Sequence, residues 1–258
     1  MKEKAMKVIE LYRYLDAHIP ASLSCPWDND GLMCCPDGNI EVSKVLVTLD
    51  VTDAAIERAK TIGAEVILSH HPLIFKGVKA LDGKGVVSAR AIDLIKSGIA
   101  VMSFHTRLDA LDGGVNDILA VTLGIEDAVP FGEEGIGRIG DLDDPMSLDE
   151  FANLVKERLN APMVTYSGNG RDVQRVAVLG GSGADDLSTA IAAGADTYVS
   201  GTLSYHDMTD APDNGINLIE AGHFHTEDLV CDILAELVWS ASPTIETEYY
   251  HSYRAKHI

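Results

Sequence analysis

Histidine and carboxylate residues recur at three separated places in this sequence, each time directly after a short apolar run. Ser69-His70-His71-Pro72 ends the first, Phe104-His105-Thr106-Arg107-Leu108-Asp109 the second, and Gly222-His223-Phe224-His225-Thr226-Glu227 the third. Neighbouring imidazoles leave an extended segment at different angles, and Pro72 holds His71 extended where a strand must stop, an arrangement that suits two metal ions better than one. In the other two places a carboxylate follows an imidazole by one helical turn, so that each pair shares a face if a helix starts there. Taken singly, these pairs have plainer explanations: a hydrogen-bonded histidine pair, or an acid favoured by a helix dipole. Together they form a mixed imidazole and carboxylate donor set of His70, His71, Asp109, His223 and Glu227, the kind that suits Zn, Fe, Mn or Co rather than Ca or Mg. A carboxylate can bridge two ions about 3.5 to 4 Å apart, and Asp109 and Glu227 are the bridging candidates.

No other motif competes. Gly180-Gly181-Ser182-Gly183 reads as a tight strand-to-helix turn with room for an anion, but it lacks the full dinucleotide fingerprint and a P-loop lysine. There is no G-x-S-x-G elbow. Cys25, Cys34, Cys35 and Cys231 form no C-x-x-C pair and read as small buried hydrophobes in a reducing compartment. A metal-activated water is therefore the expected nucleophile.

The elements that must position these residues follow from an internal duplication. Lys44–Ser69 lines up without a gap on Arg175–Ser200: Val45 and Val47 match Val176 and Val178, Ala59 matches Ala190, Gly63-Ala64 matches Gly194-Ala195, and Ser69 matches Ser200. Each copy reads as strand, helix, glycine stop and strand, and each is followed by a third strand, Gly98–Phe104 or Gly215–Ala221. Parallel strands with crossover helices are expected, with ligands at the carboxyl ends of the strands, where the histidines stand. Between the copies, Ser147 caps an amphipathic helix that helps open a second lobe, and Thr244–Tyr250 reads as a strand returning to the first. The expected fold is two duplicated α/β domains with mixed, largely parallel sheets and flanking helices. The first comprises 1–127 plus 232–258, and the second 128–231.

Composition narrows the function. A net charge of -20 disfavours a nucleic-acid partner bound through a basic face. No apolar run reaches the roughly 20 residues of a membrane span, so no membrane partner is expected. Met1–Leu15 reads as an amphipathic helix without the apolar region of a signal peptide, which points to the cytoplasm.

SHHPLIF from Ser69 to Phe75, the His-Thr-x-Leu-Asp stretch from His105 to Asp109, and GHFHTE from Gly222 to Glu227 resemble three signatures of the NIF-three-like dinuclear metal-centre family, whose members are named GTP cyclohydrolase 1 type 2 homologues. Trp27-Asp28-Asn29-Asp30-Gly31-Leu32 is similar to a fourth. The likeness runs over essentially the whole chain, in the family's short form without the inserted domain. It implies interlaced α/β domains with two divalent ions at their interface, carried by His70, His71, Asp109, His223 and Glu227, a nearby catalytic His105, and a toroidal homohexamer. Arg107 stands where the family usually has Asn, and is expected to meet an anionic substrate or one of the surface acids; Trp27 reads as a buried aromatic or as lining the site; His206 is placed to reach the pocket. The function implied is a metal-dependent hydrolase of a nucleotide or related small molecule, the alternative a non-catalytic metal-binding or regulatory hexamer.

Overall fold

In the computed structural model, which describes residues 5–256, the chain opens with helix α1 (Val8–His18), whose Leu11 and Leu15 lie one turn apart and are fully buried. The first four residues of the expected helix lie outside the described ones. Strand β1 (Gly31–Cys34) leads to the first copy of the duplication: β2 (Lys44–Thr48), α2 (Asp53–Ile62) and β3 (Val66–Ser69). Thr52 Oγ1 accepts from Ala55 N at the start of α2, and the helix closes at Gly63. Helix α3 (Val86–Ser97) and strand β4 (Ala100–Ser103) follow, then the short α4 (Thr106–Ala110).

Beyond α4 come α5 (Val115–Leu123), β5 (Ile125–Phe131), β6 (Gly137–Met146), α6 (Leu148–Arg158) and β7 (Thr165–Ser167). Ser147 and Glu150 form a reciprocal cap on α6, as the sequence leads one to expect. The second copy is β8 (Val173–Ser182), α7 (Leu187–Ala192) and β9 (Thr197–Thr202), extended by α8 (Tyr205–Asn214), β10 (Asn217–Glu220) and α9 (His223–Glu227). Helix α10 (Val230–Ala241) and strand β11 (Glu246–Tyr250) complete the chain.

Two units result. One holds the chain through Leu108 together with Val230–Arg254; the other holds Asp109–Leu229 and the last described residues, Ala255 and Lys256. The division falls inside α4 and before α10, whereas the boundary read from the sequence, 127/128, lies within β5. Helix α5 packs on β5, β6 and β8, which ties it to the second unit.

The first unit's sheet runs β1-β4-β3-β2-β11, with β1 antiparallel and the other pairings parallel. Strand β11 does return to this sheet, alongside β2. Leu46, Ile67 and Val101 pack there against Ala55, Ile56, Ala59 and Leu94 of α2 and α3. The second unit's sheet runs β5-β6-β8-β9-β10-β7, a parallel β8-β9-β10 core flanked by antiparallel pairings. Apolar clusters fill both of its faces, one around Phe151, Val155 and Val199, the other around Tyr198, Leu187 and Ile216.

The duplication extends to hydrogen bonding. Glu65 accepts from Ser43 N and Lys44 N at the entry to β2, and its aligned counterpart Asp196 accepts from Gln174 N and Arg175 N at the entry to β8. Register then sets the strand ends side by side. Ser69 pairs with Ser103, so that His70 and Phe104-His105 leave neighbouring strands together; in the second unit Leu179 pairs with Ser200 and Ser200 with Glu220. Among the described residues no helix is long and apolar enough to cross a membrane.

Candidate metal centre

In the first unit three imidazoles converge. One ring nitrogen each of His70, His71 and His105 lies within 4.8 Å of the others, and the ring centroids stand 5.0 to 5.7 Å apart. All three rings are held by Nδ1. His70 Nδ1 meets the Phe104 carbonyl at 2.9 Å, His71 Nδ1 meets Asp50 Oδ1 at 2.8 Å, and His105 Nδ1 meets both oxygens of Asp28 at 3.0 Å. Each partner is an acceptor, so Nδ1 donates in every ring and Nε2 is left as the atom each ring can offer to a metal or a proton. The supporting carboxylates are themselves anchored. Asp50 accepts from Ser252 Oγ at 2.8 Å, and Asp28, its side chain fully buried, accepts from Thr106 N and Thr106 Oγ1. Burial pushes the Asp28 carboxyl up, but the His105 and Thr106 donors outweigh it and hold the group well below the usual carboxylate range.

The second unit presents His223 and Glu227, one turn apart on α9, with His223 Nε2 3.0 Å from Glu227 Oε2. Glu227 is 4% exposed. The helix sits close against the ends of β8 and β9 because Gly181 and Gly201 stand there. A Cβ on Gly181 would overlap Glu227 Oε1, and one on Gly201 would overlap the Gly181 carbonyl and crowd His223 Cα. Thr226 completes the seat: its hydroxyl accepts from Gly181 N at 3.0 Å and donates to the His223 carbonyl at 2.9 Å. Asp109 begins this unit, on the same short helix as Thr106, and its carbonyl accepts from Asn116 Nδ2 while Asn116 Oδ1 accepts from Gly180 N. The Gly180-Gly181-Ser182-Gly183 segment thus accommodates a carboxylate and an imidazole.

With this geometry in hand, comparison with known proteins is decisive. The sequence profile of the Duf34/NIF3 (NGG1p interacting factor 3) family matches residues 6–255. The chain belongs to that family. Among Duf34/NIF3 relatives, a Clostridium perfringens protein named GTP cyclohydrolase 1 type 2 homolog is 35% identical over 229 residues, covering 86% of this chain and 87% of its own. A Nostoc protein of the same name is 34% identical over 238 residues, with 90% of each chain covered. The crystal structure of a Staphylococcus aureus protein is similar with a TM-score of 0.87 at 29% identity, covering 98% of this chain and 99% of that one.

Seen as a Duf34/NIF3 member, the chain departs from expectation at several residues. Arg107 is 2% exposed and its guanidinium is consumed inside the fold: Nε contacts Asp30 at 3.0 Å, and Nη1 donates to Asp16 at 2.7 Å and to the Ile19 carbonyl at 2.9 Å. It is not displayed to an anionic substrate; it pairs, in line with the alternative expectation, with a surface acid, Asp16, whose side chain is 39% exposed, and also with the buried Asp30, at 4%. Trp27 is not a buried aromatic; it is 59% exposed and meets the His105 ring edge-on. His206 stands exposed in the first turn of α8 with its ring against Tyr205. Cys25 and Cys231 are buried, but Cys35 is exposed. Residue type and spacing mark Gly181 as part of a tight turn and Asp28 only as part of a resemblance, and do not mark Asp50 at all; the supporting roles of the three come from the structure. One signal was available, since the gap-free alignment of the two copies sets Asp50 against Gly181 and His70 against Gly201. These strand-end positions carry the imidazole of His70 and the carboxylate that holds His71 in one copy, and in the other two glycines whose side-chain space is taken by Glu227 and the neighbouring backbone.

Proposed function

We propose that this chain is a metal-dependent hydrolase of a small molecule, a nucleotide or a related compound. In this reading His70, His71, Asp109, His223 and Glu227 hold two divalent transition-metal ions and His105 moves the proton. The observation that carries it is the common tautomer of His70, His71 and His105, whose Nδ1 atoms are all tied to acceptors while one nitrogen of each ring lies within 4.8 Å of the others. With Nδ1 of each ring engaged, Nε2 is the atom each imidazole can offer to a cation or a proton, and imidazole with carboxylate fits Zn, Fe, Mn or Co. When bound, a pair of such ions supplies a water-derived nucleophile at neutral pH and stabilises charge in the transition state.

The chain's own part is proton handling. His105 Nε2 accepts the proton of the attacking water, and the Asp28 carboxylate at Nδ1 stabilises the resulting imidazolium and fixes the ring. The proton then passes to the leaving group. The relatives' shared name, GTP cyclohydrolase 1 type 2 homolog, supports hydrolysis as the class of reaction. We place the protein in the cytoplasm as a homohexamer, by resemblance to the family.

The test is a screen of nucleotides, phosphoesters and cyclic amides with metal-restored protein. His105→Ala is expected to lower turnover by about 100-fold or more while keeping its metal. A panel processed no faster than by metal-free protein removes the hydrolase reading and leaves a metal-binding protein without catalysis.

A further inference from the structure

Two large aromatic side chains of the first unit stand in solvent beside His105, and nothing in the proton-transfer scheme uses them. Trp27 is 59% exposed and Phe75 is 44% exposed. Their rings meet edge to face, with centroids 6.2 Å apart and an interplanar angle of 77°. Both also meet the His105 ring nearly at right angles, at 6.4 Å for Trp27 and 6.0 Å for Phe75.

The loops that carry these two exposed aromatics are anchored. Asp28, next to Trp27, is anchored to His105 and Thr106, and Asn29 Nδ2 donates to the carbonyl of Ile74, next to Phe75. The two loops are thereby joined, which fixes the backbone that carries both rings and lowers the cost of ordering it on binding. Perpendicular rings form a corner: a flat ligand can lie on one face while presenting its plane to the edge of the other. Lys76, next to Phe75, is an exposed cation on a chain of net charge -20, whereas Lys84 further along the loop pairs with Asp82. Local positive charge on so acidic a protein attracts an anion to this edge.

We propose that Trp27 and Phe75 are the ring-binding wall of the His105 site, and that its ligand is a flat aromatic heterocycle carrying an anionic group. The inference rests on reading His105 as part of the active site. In a Trp239→Phe background Trp27 is the single tryptophan, and its fluorescence reports the wall directly. Adenosine 5′-monophosphate is expected to change it saturably, adenosine to bind more weakly and without salt dependence, and ribose 5-phosphate to leave it unchanged. By calorimetry, Trp27→Ala and Phe75→Ala are each expected to weaken adenosine 5′-monophosphate binding by about tenfold, with Phe75→Leu, which keeps the apolar bulk, intermediate. Equal affinity in the alanine variants overturns the proposal. So does the lack of any saturable response to the two ring probes at millimolar concentration, or a Trp27 signal that follows protein concentration alone, which would mean that a second copy covers the wall. Repeating the titration after chelation separates the two readings. Ring binding that persists in protein without turnover removes the hydrolase and leaves the wall; full turnover in Trp27→Ala does the reverse.

Discussion

Asp28 buries its carboxylate against His105 and Thr106, and its effect is to decide which nitrogen of His105 carries the proton. Asp28→Asn keeps the shape but can offer an N–H where an acceptor is needed, so turnover is expected to fall by about 100-fold at unchanged metal content. Stability gives a second readout. The native carboxyl lies below its usual value, so its contribution is present above the unfolded value of about 3.9 and fades as the pH drops through the native one. The gap in Tm between wild type and Asp28→Asn should therefore narrow below about pH 4; a constant gap would show that the carboxylate is not ionised there. Arg107→Ala strands the buried Asp30 and should cost about 3 to 5 kcal/mol in denaturant unfolding, while leaving the affinity for an anionic ligand unchanged. At this scale the donors were legible in the sequence because histidines next to one another and acids one turn on are unusual spacings. Asp28 was not, since it meets His105 from 77 residues away and its Trp-Asp-Asn setting reads equally well as a turn.

Strands and short helices place these residues, and the second unit does it through absent side chains. Gly181, at φ +68°, occupies a left-handed conformation and leaves its side-chain space to Glu227. Gly181→Ala is expected to cost about 1 to 3 kcal/mol and to lower metal content by displacing the carboxylate. Gly63→Ala is the matched control: its φ of +71° strains the backbone, but nothing lies within 4 Å of the added Cβ, so stability should fall with metal content intact. Equal metal loss in both would place the effect in general destabilisation rather than in the cradle. The duplicated strand-helix-strand units were legible because apolar alternation, capping residues and glycine stops agree in both copies. Strand β6 was hidden because Asp141-Leu142-Asp143-Asp144-Pro145 is acidic and ends in proline. The register of β6 against β8 breaks along that stretch, between Asp141 and Met146.

At the scale of the molecule, a chain of net charge -20 folds into two units whose sheets present imidazoles and carboxylates after the ends of their parallel strands, where α/β proteins bind ligands. The alternation of βαβ units made this architecture readable, whereas the number of copies in the assembly leaves no such periodic trace. Sedimentation of metal-loaded protein should give six chains, and a monomer would count against the proposed assembly. The central claim is that the donors of the two units hold metal. Elemental analysis of protein prepared without chelator tests it most directly: about two transition-metal ions per chain are expected in the wild type, with most of that content lost in the Asp109→Ala, Glu227→Ala double variant. A metal-free wild type, or full occupancy in the double variant, would contradict it.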